Sequence, residues 1–270
     1  MCTDGTYLLD GGAMFGVVPK TMWQKRIPAD ADNRIVLGLN SVIVRTGQHT
    51  VVIETGIGNK QTPKMRGIFE NQELLLESYA AAGVDPAEVD IVINTHLHFD
   101  HCGWNTTLHP DGSVTPTFPN ARYFAHAGEV AHGHLQLDRD KVSYLSPNYD
   151  PLIESGQMTL LDLEGVGATA EICPGISVEL FPGHTAQMMG VHIESGGQHA
   201  CYIGDLLPTA HHLDPTWVMG YDLDPLRCIE ERKRFYKRAI PEKWLVLFTH
   251  DHDRPMARVA WNEKGKPVVV

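Results

Sequence analysis

The sequence predicts an α/β fold: two mixed β-sheets sandwiched between helices on the outer faces. Two observations lead there. Short β-branched segments alternate with helical ones in two similar halves of the 270 residues. Histidines and acids also recur just beyond the ends of apolar strands, where α/β folds gather their ligands.

The elements follow in order. Arg34 to Val44 and Thr50 to Glu54 are β-branched runs joined by Thr46-Gly47-Gln48-His49, a hairpin signature. Glu73 to Ala82, with leucines at 74 to 76 and Gly83 as a stop, reads as a helix. Val89 to Asn94 is short and apolar, hence a buried strand, and Tyr123-Phe124-Ala125 is another, followed by a helix from Ala127 to Leu137. The second half repeats the theme. Ile176 to Phe181, Met189 to Glu194 and His199 to Ile203 read as strands, Pro225 to Arg238 as a helix, and Trp244 to Phe248 as a strand. Met256 to Trp261 and Pro267 to Val270 flank Asn262-Glu263-Lys264-Gly265 and close the chain as a hairpin.

Composition narrows the function classes. A formal charge of −11 disfavours nucleic acid, which needs a basic face. The run Glu231-Arg232-Lys233-Arg234 reads as one solvated face of a helix. Five cysteines, at 2, 102, 173, 201 and 228, have no CxxC spacing and sit in apolar surroundings. They read as free, mostly buried thiols of a reducing compartment. The first residues lack a basic and then apolar leader, and no run of about 18 apolar residues occurs. The expectation is a cytoplasmic protein with no membrane partner.

The densest chemistry lies in Thr95-His96-Leu97-His98-Phe99-Asp100-His101, directly behind Ile91-Val92-Ile93. On an extended chain His96 and His98 share a face, and Asp100 continues it. His101 breaks the alternation, so a turn is expected there, a helix starting before Cys102-Gly103. Two pairs result, His96 with His98 and Asp100 with His101, aimed at neighbouring points that suggest two metal ions. Imidazole with carboxylate suits zinc, and also manganese, iron or cobalt. Four groups cannot complete two shells, and matching contexts supply more. His184 follows a strand through Pro182-Gly183, Asp205 through Gly204 and His250 through Thr249.

HxHxDH followed by a His, an Asp and a His resembles the metallo-β-lactamase fold hydrolases, over about Arg34 to His250. That resemblance implies an αββα sandwich, here a single hydrolase domain over residues 1–270, with a dinuclear site at one edge. It implies that His96, His98 and His184 bind one metal, that Asp100, His101 and His250 bind the other, and that Asp205 bridges both. The cofactors would be two divalent ions, zinc first, with manganese, iron or cobalt as alternatives. THLHFDHCGWN, FPGHTAQMMG and the opening Asp10-Gly11-Gly12-Ala13-Met14-Phe15-Gly16 are similar to segments of the lactonase and organophosphate (methyl parathion) hydrolase group. Two positions depart from the pattern. Glu54-Thr55-Gly56 carries Glu where the family usually has Asp, and Glu54 is expected to orient a ligand histidine. Pro208 stands where acyl-homoserine lactonases carry a carbonyl-polarising Tyr, with Tyr202 or Tyr221 as candidate replacements.

The mechanism so implied is hydrolysis by a hydroxide shared between the metals, one of which polarises a carbonyl or phosphoryl oxygen. Asp205 would take the water's proton and return it to the leaving group; Asp205 and Asp100 are the carboxylates expected in catalysis. The expected partner is a small lactone, ester or organophosphate, and a homodimer is compatible with the sequence. The alternatives are a thioester hydrolase of the glyoxalase II type and a redox or sulfur-oxidising iron protein on the same scaffold. The first would carry an added basic helical region, and di-iron relatives usually replace the second His of the motif with Glu.

The remaining histidines carry plainer expectations. His126, His132 and His134 read as ordinary helix or loop residues, His211-His212 as loop surface, and His252 with Asp253 as supporting or exposed groups. Met14, Phe15, Met188, Met189, Trp23 and Trp104 read first as core and second as pocket lining. Cys102 is not expected as a ligand. Pocket walls are expected from Gly11–Ile27, Asn105–Phe118, His132–Pro151 and Leu206–Tyr221.

Overall fold

Aliphatic and β-branched runs form strands here because apolar side chains meet them on the buried face. The computed structural model describes residues 1–270, and its contacts divide the chain into two compact units. One comprises residues 1–6 and 39–164, the other 7–38 and 165–270.

A mixed sheet whose strands lie mostly in the first unit runs in the order β1-β2-β3-β4-β7-β8. Its strands are β1 (Cys2–Asp10), β2 (Arg34–Arg45), β3 (Thr50–Ile53), β4 (Ile91–Ile93), β7 (Arg122–His126) and β8 (Met158–Leu161). A separate hairpin pairs β5 (Thr106–Leu108) with β6 (Val114–Pro116). β2 and β3 are antiparallel, whereas β3, β4, β7 and β8 are parallel neighbours. Parallel strands end on one edge, so Glu54 after β3, His96 after β4 and His126 on β7 leave the sheet on the same side. Val52, Val92, Tyr123 and Ala125 form a core with Leu75 and Tyr79 of the helix Leu75–Ala81 and Val130 of the helix Ala127–Leu135. Each such aliphatic or aromatic burial stabilises the fold by roughly 1.5–3 kcal/mol. The phenol of Tyr79 is satisfied by Ser41 Oγ at 2.6 Å. Asp4 on β1 accepts from the amides of Leu75 and Ile57 and from the indole of Trp104, tying three segments to that strand.

The second unit holds a mixed sheet ordered β15-β14-β13-β12-β11-β10-β9. The ranges are β9 Thr169–Cys173, β10 Ile176–Leu180, β11 Met189–Ser195, β12 Gln198–Tyr202, β13 Leu245–Leu247, β14 Met256–Trp261 and β15 Pro267–Val269. β12 and β13 are parallel, with Tyr202 opposite Leu247. Asp205 and His250 each follow three residues later, so both leave by the same edge. β10 runs with β12, because each is antiparallel to β11, and it delivers His184 to that edge too. The helix Pro225–Ala239 starts where Asp224 accepts from the amide of Arg227 at 2.9 Å and Pro225 fills the first turn. Its Cys228, Phe235, Tyr236 and Ala239 pack with Phe181, Ile203, Val246 and Phe248.

The expected elements all form, with ends shifted by a few residues: the helix over 73–82 spans Leu75–Ala81, and the tail hairpin pairs β14 with β15. Strands β1, β8 and β9, the β5–β6 hairpin and the short helices Gly11–Phe15, Lys20–Trp23 and Pro63–Phe69 add to what the sequence indicates. One expectation is corrected. The run 231–234 is not a solvated face, since Glu231 and Arg232 are buried and Arg234 reaches Glu179 of β10.

Candidate metal centre

In the first unit β4 ends at Ile93, and Asn94 continues the pairing by donating to the carbonyl of Phe124. The chain turns into the helix Phe99–Cys102, with His98 as its N-cap residue. The turn therefore comes at Phe99, earlier than the expected break at His101, and Asp100 sits in the first helical turn. Gly103 allows close approach, since a Cβ there would collide with the backbone of Ile57 and Gly58.

The imidazoles converge. His96 Nε2 lies 3.1 Å from His98 Nδ1. Two nitrogens on a tetrahedral cation with bonds of about 2.0–2.1 Å stand about 3.3 Å apart, so this spacing fits a shared ion. His96 Nδ1 lies 2.9 Å from Thr95 Oγ1, a contact that anchors this side of the ring. His101 Nε2 stands 3.9 Å from Asp100 Oδ2, and its Nδ1 stands 3.5 Å from Glu54 Oε2. The other oxygen of Glu54 accepts from the amide of Thr95 at 2.6 Å. Glu54 thus holds the motif's first residue and faces His101 without a hydrogen bond to it. Its backbone is left-handed, with φ of 60°.

In the second unit Asp205 occupies a short turn, Gly204–Leu206. One oxygen, Oδ2, lies 3.4 Å from His184 Nε2; the other, Oδ1, lies 3.2 Å from His250 Nε2. A single carboxylate thus faces a different imidazole at each oxygen. The far nitrogens are tethered. His184 Nδ1 meets Asp222 Oδ1 at 3.0 Å, and His250 Nδ1 meets the carbonyl of Gly38 at 2.9 Å, with Tyr7 Oη 3.4 Å away. Asp222 Oδ2 in turn accepts from the amide of Met219.

The donor set in both units therefore suits divalent cations: each imidazole keeps a nitrogen aimed at its neighbours, and for His96, His184 and His250 the other is anchored. The four residues of the first unit's motif are brought together, and so are the three of the second unit. Sequence reasoning missed Asp222, Tyr7 and Glu129. Buried Glu129 accepts from the amide of Leu97 and from Tyr144, whose ring edge abuts His98 at 4.9 Å between centroids. No local spacing announces these residues, because each acts on a partner distant in sequence.

The other histidines have structural partners. His126 caps its helix by accepting from Gly128, while His132 and His134 pair with Asp140 and Asp150. His212 departs from the expected surface position. It is fully buried, stacked on Phe15 at 4.6 Å and bonded to the carbonyl of Met14. Burial, helped by the Arg232 charge, pushes it down to about 3, so it stays neutral. His252 lies beside Asp253. Met14, Phe15, Met188, Met189, Trp23 and Trp104 are core residues, and all five cysteines are free and buried. Burial pushes the Cys102 thiol far above its ordinary range. Tyr202 is buried on β12, and Tyr221 precedes Asp222.

The chain belongs to the metallo-beta-lactamase superfamily, whose family model matches residues 34–253. Its fold class is accordingly that family's α/β sandwich of mixed sheets and helices, as the sequence predicts. Among solved structures it is similar to a probable metal-dependent hydrolase from Staphylococcus aureus, with 29% identity and a TM-score of 0.87 over 100% of this chain and 95% of that one. AidC, described as a dizinc quorum-quenching lactonase, shares the fold at 20% identity, with a TM-score of 0.80 over 99% of this chain and 92% of its own. AbOPH, a hydrolase of the β-lactamase superfamily, does so at 19% and 0.80, over 100% and 92%. No helix of the chain is long and apolar enough to cross a membrane.

Proposed function

We propose that the chain is a metal-dependent hydrolase of uncharged or weakly charged lactones, esters or organophosphates. In this reading His96, His98 and His184 hold one divalent cation, Asp100, His101 and His250 hold a second, and Asp205 lies between them. Zinc is the first choice, since imidazole and carboxylate suit it and AidC is described as a dizinc lactonase. The observation that carries the proposal is the two-sided engagement of Asp205 by His184 and His250.

When bound, the cations supply a water acidified to near neutrality and an electrophile for the substrate's carbonyl or phosphoryl oxygen. The chain's own residues do the rest. Thr95 orients His96, and Asp222 and the Gly38 carbonyl hold His184 and His250 in the tautomer protonated at Nδ1, so Nε2 of those two rings is an acceptor before any cation arrives. Asp205, its two oxygens facing His184 and His250, would be the group placed to accept a proton and to return it to a leaving group. Asp100, half-buried in the first turn of its helix, adds the negative charge that balances the second cation.

The test is elemental analysis together with a panel of lactones, aryl esters, phosphotriesters and β-lactams on protein reconstituted with zinc, manganese or cobalt. About two cations per chain and turnover of a neutral ester, lactone or phosphotriester are expected. About one iron per chain with oxygen consumption would overturn the reading in favour of sulfur or redox chemistry.

A further inference from the structure

Arg232 is buried inside the second unit, on the helix Pro225–Ala239, with 0% of its surface exposed. A buried guanidinium is costly unless its donors are met. Two of its three nitrogens donate to backbone carbonyls, while Nη2 has no hydrogen-bond partner. Nε donates to Leu206 at 2.6 Å, and Nη1 to Trp217 at 2.8 Å, His212 at 3.3 Å and Pro215 at 3.4 Å. All four acceptors lie on the segment between Asp205 and Asp222. Those two carboxylates are the ones that take the two ring nitrogens of His184.

We propose that Arg232 is a positioning residue for the metal centre: one guanidinium gathers the loop 206–217 and so fixes Asp205 at one end and Asp222 at the other. The inference rests on the reading of Asp205 and His184 as ligands. The chemistry favours a guanidinium for this task. Its planar fork reaches carbonyls in several directions at once, whereas a lysine ammonium is a compact point charge. Leu206 is the residue next to Asp205, so its carbonyl bond restrains the turn that carries the carboxylate. His212 reinforces the clamp from the other side. It is neutral, bonded to Thr209 Oγ1 at 2.8 Å and to the Met14 carbonyl at 2.9 Å, and it anchors the middle of the same loop. The loop is therefore shaped by protein contacts that do not depend on a cation.

The experiment compares Arg232→Lys and Arg232→Met with Arg234→Met, which alters the same helix but breaks bonds to Glu179 and Leu180 instead. Cobalt loading is followed by its visible spectrum and by competition with a chelator, alongside kcat and KM. Folded Arg232 variants are expected to bind at least one cation about tenfold or more weakly, with a changed cobalt spectrum and a fall in kcat larger than any rise in KM. Arg234→Met is expected to lose stability while retaining cation affinity and spectrum. Folded Arg232 variants with unaltered affinity and spectrum would overturn the proposal. If neither Arg232 variant folds, hydrogen exchange on the chelator-stripped wild type decides. Protected amides at His212 and Trp217 support the clamp, and exchange as fast as in an exposed turn refutes it. A wild type that takes up no cation overturns the metal reading instead, and the same exchange measurement still judges the clamp.

Discussion

His184 is held between two carboxylates, its Nδ1 3.0 Å from Asp222 and its Nε2 3.4 Å from Asp205. The first contact sets the proton on Nδ1 and leaves Nε2 as a lone-pair donor. Asp222→Ala frees the ring to flip and to change tautomer. The expected result is a loss of about 10–100-fold in cation affinity or activity with the fold retained. Isothermal titration of zinc into stripped protein measures it, and affinity within twofold of wild type would contradict the role assigned to Asp222.

Glu54 accepts from the amide of Thr95 with one oxygen and faces Nδ1 of His101 from 3.5 Å with the other. Glu54→Gln keeps the shape but replaces one charged oxygen with an amide NH₂ that cannot accept. Because hydrogen bonds to charged groups contribute about 1.5–3 kcal/mol, the variant should be less stable by a similar amount and should hold its cations less tightly. Urea unfolding with and without chelator separates the two effects; equal stability in both conditions would refute the dual role.

A second cluster predicts a pH response unconnected with metal. Glu179 on β10 meets His192 Nε2 at 2.8 Å and also binds Arg234 and Arg238. Burial alone would push His192 down, yet Cys201 and Glu179 outweigh it and raise it to about 10. Burial would likewise lift Glu179, but its bonds to His192, Arg234 and Arg238 bring it down to about 2. His192 is thus raised above its unfolded value of about 6.5, so its contribution is complete below that pH and fades as pH climbs through about 10. Glu179 is depressed, so its contribution is complete above about 4.3 and fades as pH falls through about 2. Thermal unfolding of the wild type should lose stability between pH 7 and 10, and His192→Gln should flatten that slope. Parallel slopes in the two proteins would exclude this pair as the source.

Removing the cations should expose their share of stability. Ligands that bind the native state at a thousand times their dissociation constant stabilise it by about 4 kcal/mol. Chelation is therefore expected to lower Tm by several degrees and zinc to restore it, whereas His98→Ala should show a smaller shift on chelation. An unchanged Tm after verified metal removal would argue that these residues carry no tightly bound ion.

The sequence carried the ligand motif because strand periodicity aims His96 and His98 together, and because His184, Asp205 and His250 repeat one context, a strand followed by a short turn. The supporting residues were hidden for a physical reason. Asp222 reaches His184 across 38 residues, and Glu129 reaches Leu97 across 32, with no periodic pattern linking them. His212 and Arg232 looked polar and therefore exposed, but an aromatic stack on Phe15 and four carbonyls make their burial tolerable. Strand β1 escaped notice because Cys2-Thr3-Asp4-Gly5 lacks the apolar alternation of a strand, and Gly5 adopts a φ of 95° there.

Under the proposed two-cation reading, the placement of Asp205 between His184 and His250 also bears on how the centre would fill. Its oxygens share one rigid plane, so a single carboxylate angle serves both contacts, with His184 and with His250. A cation seated on either side would pre-set the angle needed by the other, and linkage makes that help reciprocal. Cations should then load cooperatively, with singly occupied molecules scarce along the titration.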